Sequence, residues 1–278
     1  MTYYELLRKI SAGGGIAFTH SGHFHADDVF SAALLRYAVN PALKIIRSRG
    51  SIPAGFKGLT FDVGGGEFDH HGPNPERRPN GIPYASFGLL WRTIGPIYGR
   101  DIYKMIDSRL VQPIDDADNG GKPCLLSNVI RSMNPTWLES PEMVIDSAFE
   151  RAVGLALTIL SRQIEVAQAE LTAKPIIEQA IESAKNGIVE IPRPGINCVH
   201  KLIGEENAKL LIYPAQNSSR NWNVQTVPVA PGSREQKVKI ASYDDDFSHG
   251  VRYRNPNGFL VTCDDYESAK KLADLSVA

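Results

Sequence analysis

Phe61-Asp62-Val63-Gly64-Gly65-Gly66-Glu67-Phe68-Asp69-His70-His71 is the stretch that decides how this chain is read. The mostly apolar run 59–63 predicts a buried strand with one carboxylate, Asp62, near its C-terminal end. The glycines that follow let the backbone turn sharply and pass close to a bound group. Asp69, His70 and His71 then lie one short loop away from Asp62. Carboxylate and imidazole together on a strand-end loop are the donors that a borderline divalent cation takes.

Upstream, Tyr3 to Ile10 has the spacing of a short amphipathic helix. Ile16 to Thr19 predicts a strand running into His20, and Asp27 or Asp28 is placed to cap a helix carrying Val29, Phe30, Ala33 and Leu34. Leu43 to Arg47 predicts a second strand. The order strand–helix–strand gives a βαβ pattern, hence a parallel sheet with ligands at its C-terminal edge. The segment Thr19-His20-Ser21-Gly22-His23-Phe24-His25-Ala26-Asp27-Asp28 lies at that edge. Five of the seven histidines fall in these two strand-end segments, which favours a metal site over scattered surface histidines. Asp115, Asp116 and Asp118, before Asn119-Gly120, have the weaker claim of acids that also suit a solvated turn.

Downstream, Gly72 to Pro83 reads as a loop, and its Arg77 and Arg78 are candidates for a guanidinium grip on phosphate. Ser86–Ile94, Ile102–Val111 and Ser127–Met133 read as helices. Ser140-Pro141-Glu142 has the residues of a helix start. Helical spacing then runs from Phe149 to Leu171, Pro175 is expected to interrupt it, and Asn186-Gly187 to stop it. Strands are expected at Leu210–Tyr213, Trp222–Val229 and Phe259–Cys263, with a last helix from Tyr266 to Leu275. The expected organisation is a parallel-sheet α/β domain (1–137), a helical connector (138–187) and a smaller α+β domain (188–278). In the last, Arg220, His249, Arg252 and Arg254 are candidates to hold a substrate, and Trp222 and Tyr253 could stack on a base or serve the core.

The chain has 278 residues, 42% of them hydrophobic, and a net charge of −1, so no bulk basic field draws it to duplex nucleic acid. Cys124, Cys198 and Cys263 are far apart and odd in number, which gives neither a zinc ribbon nor a disulfide framework. No apolar run approaches the ~18 residues of a membrane span, and Met1 to Ile10 lacks a signal-peptide core. A cytoplasmic protein with no membrane association is the expectation. Composition leaves the oligomeric state open, a homodimer included.

Four segments carry a family resemblance: T-H-S-G-H-F-H-A-D-D (19–28), D-V-G-G-G-E-F-D-H-H (62–71), Y-A-S-F-G-L-L-W (84–91) and D-D-A-D-N-G (115–120). Together they resemble the melanocyte-proliferating-gene family, a branch of the DHH phosphoesterases. Trp222-Asn223-Val224-Gln225-Thr226-Val227-Pro228 is similar to that family's late Trp-x-Val-Gln-x-Val-Pro segment. The chain departs from the family pattern at Phe18, where Gly is usual, and at Ala26-Asp27-Asp28, where Cys-Asp-Glu is usual. His23 is additional.

The resemblance implies a DHH-type catalytic domain with two divalent ions, Mn²⁺ first, with Mg²⁺ or Zn²⁺ as alternatives. Carried over by position, His20, His25 and Asp62 hold one ion, and Asp27, Asp62, His70 and Asp118 the other, with Asp62 as bridge. His71 faces the substrate phosphate and Asp69 orients a neighbouring imidazole. The implied activity is a 3′–5′ exoribonuclease on short single-stranded RNA, by attack of a metal-activated hydroxide. A small-molecule phosphatase or phosphoanhydride hydrolase with the same centre is the first alternative. A metal-containing binding protein without turnover is the second.

Overall fold

The computed structural model describes residues 1–48, 52–139, 141–196, 198–216, 218 and 220–278, in two compact units, Met1–Ala169 and Glu170–Ala278. The expected helix start at Ser140 lies outside the described residues.

In the first unit, helix α1 (Tyr3–Ala12) is closed at its N-terminus by a reciprocal pair in which Thr2 Oγ1 accepts from the Glu5 amide and Glu5 accepts from the Thr2 amide. Strand β1 (Ile16–His20) leads to helix α2 (Ala26–Ala38), then β2 (Lys44–Ser48) and β3 (Leu59–Thr60). The sheet order is β2-β1-β3 and both pairings are parallel, as the βαβ pattern requires. The third strand is shorter than the apolar run 59–63 suggests. Phe61 still donates its amide to Phe18 O, but Asp62 turns out of the ladder into the left-handed region at φ 54°.

The first ten residues of α2 are all buried, so this helix is surrounded rather than laid on a surface. It packs on α3 (Ser86–Ile94), with Phe30 and Phe87 rings 5.4 Å apart. Helix α4 (Arg100–Ile106), a π-helical turn (Asp107–Val111) and α5 (Gln112–Asp118) run on without a break. Asp115, Asp116 and Asp118 therefore stand on a helix, not in a turn after it. Helix α6 (Leu125–Ser132) and the long α7 (Pro141–Glu182) follow. Pro175 does not interrupt α7, contrary to expectation; the helix continues through it.

Arg78 shows how tightly this unit is built. It is only 6% exposed; its Nη2 donates to Asp115 at 2.7 Å and Asp107 at 3.2 Å, and its guanidinium lies 4.0 Å from the Tyr84 ring centre. Asp115 also accepts the Gly88 amide of α3 at 3.0 Å. The segment 76–84 is a narrow hairpin, with Arg78 N bonded to Ile82 O and Tyr84 N to Glu76 O.

The second unit contains β4 (Ile188–Glu190), α8 (Val199–Leu202), β5 (Leu210–Pro214), β6 (Trp222–Thr226), β7 (Val251–Arg254), β8 (Leu260–Cys263) and α9 (Tyr266–Val277). Its sheet order is β4-β5-β6-β8-β7, parallel only between β4 and β5. Side chains alternate between two faces. Ile212, Val224, Val261 and Cys263 pack with α9, whereas Leu211 and Val189 pack with Leu202 and with Ile177 of α7. Among the described residues no helix is long and apolar enough to cross a membrane.

The Arg78–Asp115 contact leaves no room for a side chain at position 88. A Cβ there would lie 1.8 Å from Asp115 Oδ2 and 2.7 Å from Arg78 Nη2. Gly88→Ala is expected to break the buried pair at a cost of about 3 kcal/mol, read calorimetrically as a fall in Tm of about 6–12 °C. An unchanged Tm would contradict the packing described.

Candidate metal centre

Three segments deliver ionisable side chains to the C-terminal edge of the first sheet. The end of β1 brings His20, the loop after it brings His25, and the first turn of α2 that follows brings Asp27 and Asp28. The glycine loop brings Asp62, Asp69, His70 and His71, and the last turn of α5 brings Asp118.

Each is positioned by local structure. His20 ends β1. Asp28 accepts the His25 amide at 2.9 Å, so the N-cap of α2 is His25, and the expected caps, Asp27 and Asp28, lie in its first turn. The Asn134 amide bonds Phe24 twice, its Oδ1 to Phe24 N and its Nδ2 to Phe24 O, both at 2.9 Å. Arg47 donates to Gly22 O and stacks on Phe149. The loop that carries His25 is thus tied at both ends. Asp62 donates its amide to Phe68 O, which closes the glycine loop, and Gly64 and Gly65 take φ values of 84° and 67° that side chains rarely allow.

The side chains form three overlapping clusters. His20 Nε2 lies 3.1 Å from Asp28 Oδ2 and 3.2 Å from Asp62 Oδ2. His70 Nε2 lies 3.1 Å from Asp62 Oδ1, 3.2 Å from Asp118 Oδ2 and 3.6 Å from Asp27 Oδ2. His25 Nδ1 lies 3.6 Å from Asp118 Oδ1. In each of the sets His20–Asp28–Asp62, Asp62–His70–His71 and His25–Asp27–Asp118, one ligand atom per residue falls within 4.8 Å of the others. Asp62 belongs to two sets.

Burial makes this arrangement expensive for protein atoms alone. Asp27 and Asp28 are fully buried and Asp62 is 2% exposed. Both oxygens of Asp27, Asp28 Oδ2, Asp62 Oδ1 and His70 Nε2 are buried without a hydrogen bond. These oxygens and nitrogens thus approach as charges, without the direction of a hydrogen bond. Buried polar atoms normally find partners, so a cluster of unpartnered donors from the first turn of α2 and the glycine loop has the chemistry of a cation site. The donors are carboxylate and imidazole, which suits Mn²⁺ or Zn²⁺ better than Mg²⁺.

The titration behaviour follows. Burial pushes the Asp27 carboxyl well above its ordinary range, and the charges of Asp62, Asp118 and Asp28 add to it. Burial also raises Asp28, against the opposing effect of His20 beside it. For Asp62 burial is outweighed by the adjacent His20 and His70, which hold it at about 2. Burial opposes charge on both imidazoles. The adjacent Asp28 and Asp62 nevertheless lift His20 to about 10, and Asp118 and Asp62 lift His70 to about 10. In the metal-free protein, two imidazolium groups supply the positive charge that the carboxylates need.

His71 is the exposed member. Its Nδ1 lies 2.8 Å from Asp69 Oδ1, and Asp69 also accepts the Gly65 amide. Arg77 is exposed and donates to Gly81 O. The phosphate grip expected of Arg78 is corrected, because its guanidinium is committed to Asp107 and Asp115 inside the fold. In the second unit, Arg252 pairs with Asp264, His249 stacks on Tyr243 with ring centres 4.1 Å apart, and Arg254 pairs with Asp246. Arg220 is exposed, Trp222 packs on the core beside Tyr266, and Tyr253 is half exposed.

His25 groups with Asp27 and Asp118 while its ring centre lies 5.9 Å from that of His20, and Asp28 stands beside His20 as well. Neither Asp28 as a candidate ligand nor Asn134 as the anchor of its loop emerged from the sequence. The spacing of Asp28 from His25, three residues into a helix, is a capping signal that hides its second oxygen's contact.

Comparison with known proteins adds a family. The model of the MYG1 exonuclease family, described as "Uncharacterised protein family (UPF0160)", matches residues 16–277. The MYG1 exonuclease of Mus musculus is 26% identical over 274 residues, covering 80% of this chain and 71% of the relative. The MYG1 protein of Saccharomyces cerevisiae is 27% identical over 326 residues, covering 94% and 95%. The MYG1 protein of Caenorhabditis elegans is 26% identical over 266 residues, covering 76% of each.

Because His20 and His70 carry protons well above neutrality, a cation that takes their nitrogens must displace them. Mn²⁺ binding at pH 7 is expected to release protons, and apparent affinity to rise with pH between 6 and 8 by about tenfold per unit for each proton lost. Calorimetric titration in buffers of different ionisation enthalpy measures the count. Proton-neutral, pH-independent binding would place the ion elsewhere.

Proposed function

Since the chain belongs to the MYG1 exonuclease family (UPF0160), we propose that it is a two-metal phosphodiesterase of the DHH type that shortens single-stranded RNA from its 3′ end. The observation that carries this reading is the group of buried carboxylate oxygens without hydrogen bonds, beside imidazoles from the segment after β1 and from the glycine loop. The names of the mouse relative and others like it, MYG1 exonuclease, supply the reaction class.

In this reading His20, Asp28 and Asp62 surround one divalent ion, and Asp27, Asp62, His70 and Asp118 the other, with His25 beside Asp118. Mn²⁺ is the first choice. Bound there, the ions supply Lewis acidity and lower the pKa of an attacking water. Asp62 is held between His20 and His70 and carries the shared ligation. Asp69 fixes the His71 ring through Nδ1, which leaves Nε2 for a phosphate oxygen. Water adds to phosphorus, the bond from phosphorus to the 3′ oxygen breaks, and that oxygen leaves as the new 3′ hydroxyl with the water's proton. Each cycle frees one nucleoside 5′-monophosphate. Arg77 is the candidate in the first unit to hold the rest of the chain.

A second reading keeps the same centre but acts on small phosphates. The inward commitment of Arg78 favours it, since one expected phosphate-gripping group is removed.

Purified protein with Mn²⁺ is expected to release 5′-monophosphates from short single-stranded RNA. Asp62→Asn, which keeps a residue tolerant of positive φ, should abolish release, and Asp69→Asn should slow it about 10- to 100-fold. Chromatography of the products, with pyrophosphate and dinucleotides as competing substrates, decides between the two readings. Faster turnover of the small phosphates would select the second, and full activity in Asp62→Asn would refute both.

A further inference from the structure

The second unit has a cavity of about 550 Å³ on the sheet face opposite α9, and all its lining residues are uncharged. That lining is unsuited to a phosphate and suited to a neutral polar ligand. The volume is in the range of small-molecule sites.

Cross-strand register places Tyr213 of β5 opposite Asn223 of β6, and Asn223 opposite Thr262 of β8. Gln225 is two residues along β6, on the same face. These four side chains form two hydrogen-bonded pairs, each with a hydroxyl on an amide oxygen. The Thr262 hydroxyl donates to Asn223 Oδ1 at 2.8 Å, and the Tyr213 hydroxyl donates to Gln225 Oε1 at 2.8 Å. Thr262 and Tyr213 thus each occupy the carbonyl oxygen of one amide, Asn223 and Gln225 respectively. With both carbonyl oxygens occupied, the amides present N–H groups to the cavity. The Gln225 NH₂ has no acceptor among the described residues. A bond accepted at an amide oxygen polarises that amide, which strengthens its N–H groups as donors. Ile196 and Val199 add apolar wall.

We propose that this cavity is a nucleobase site, in which the Gln225 and Asn223 amides donate to a ring carbonyl, as on uracil, with Ile196 and Val199 against the base. The choice of a base among neutral carbonyl compounds rests on the nuclease reading above. The two hydrogen-bonded pairs and the uncharged lining do not. Adenine, which has no carbonyl, fits less well.

The test uses the full chain in excess chelator, so that neither metal nor hydrolysis contributes, with uridine and adenosine as probes followed by ligand-observed NMR titration. Uridine should bind saturably and at least about tenfold more tightly than adenosine, as one well-matched donor–acceptor set discriminates bases. Gln225→Leu should abolish that preference. Tyr213→Phe, which frees the Gln225 carbonyl to rotate inward, should reduce it at unchanged Tm. No saturable uridine binding, equal binding of adenosine, or a preference unaffected in both variants would overturn the proposal. RNA hydrolysis persisting with such a result would leave the nuclease reading standing, and binding without hydrolysis would separate them the other way.

Discussion

Asp27, Asp28 and Asp62 are buried together at the end of β1, and their mutual repulsion has to be answered by positive charge. Two like charges about 4 Å apart near a protein surface repel by about 4 kcal/mol, and more with deeper burial. Protonated His20 and His70 meet part of that demand in the metal-free protein. They do so through contacts that leave several oxygens without a hydrogen bond. A divalent cation satisfies the same oxygens more completely, since it accepts several carboxylates at once. The arrangement is thus costly for protein atoms alone, and a bound cation would offset that cost, as ligands of functional sites often do.

The surrounding structure holds those groups in place against that repulsion. Asp62 takes a left-handed backbone conformation that costs a non-glycine residue free energy, and it is held there by the bond from its amide to Phe68 O. Asn134 and Arg47 clamp the loop that ends in His25. The Arg78–Asp115 pair joins the hairpin 76–84 to α5 and, through the Gly88 amide, to α3. Asp118 stands one turn further along α5, so that buried pair fixes the helix that presents it.

Much of the architecture could be read from residue order. The parallel strands followed from two short apolar runs flanking a helix, and the concentration of histidine and aspartate at two strand ends marked the edge where ligands collect. What stayed hidden depends on contacts between distant segments. Arg78 looks like a loop arginine until Asp107 and Asp115 come to meet it from a helix about thirty residues away. Pro175 looks like a break, yet α7 runs through it. Strand β7 has charged and aromatic side chains on an edge, Arg252 and Tyr253, and its pairing with β8 is set by register, not by hydrophobic alternation. The pairing of particular imidazoles with particular carboxylates was equally out of reach. Spacing places His20 and His25 on one loop, but the first turn of α2 sends them toward different partners.

The most direct measurement is an anomalous difference map at the manganese absorption edge from crystals grown with Mn²⁺. Two peaks within coordination distance of Asp62, one on the His20 and Asp28 side and one on the His70 and Asp118 side, are the expected result. Peaks remote from Asp62, or none, would contradict the claim that these buried carboxylates exist to hold cations.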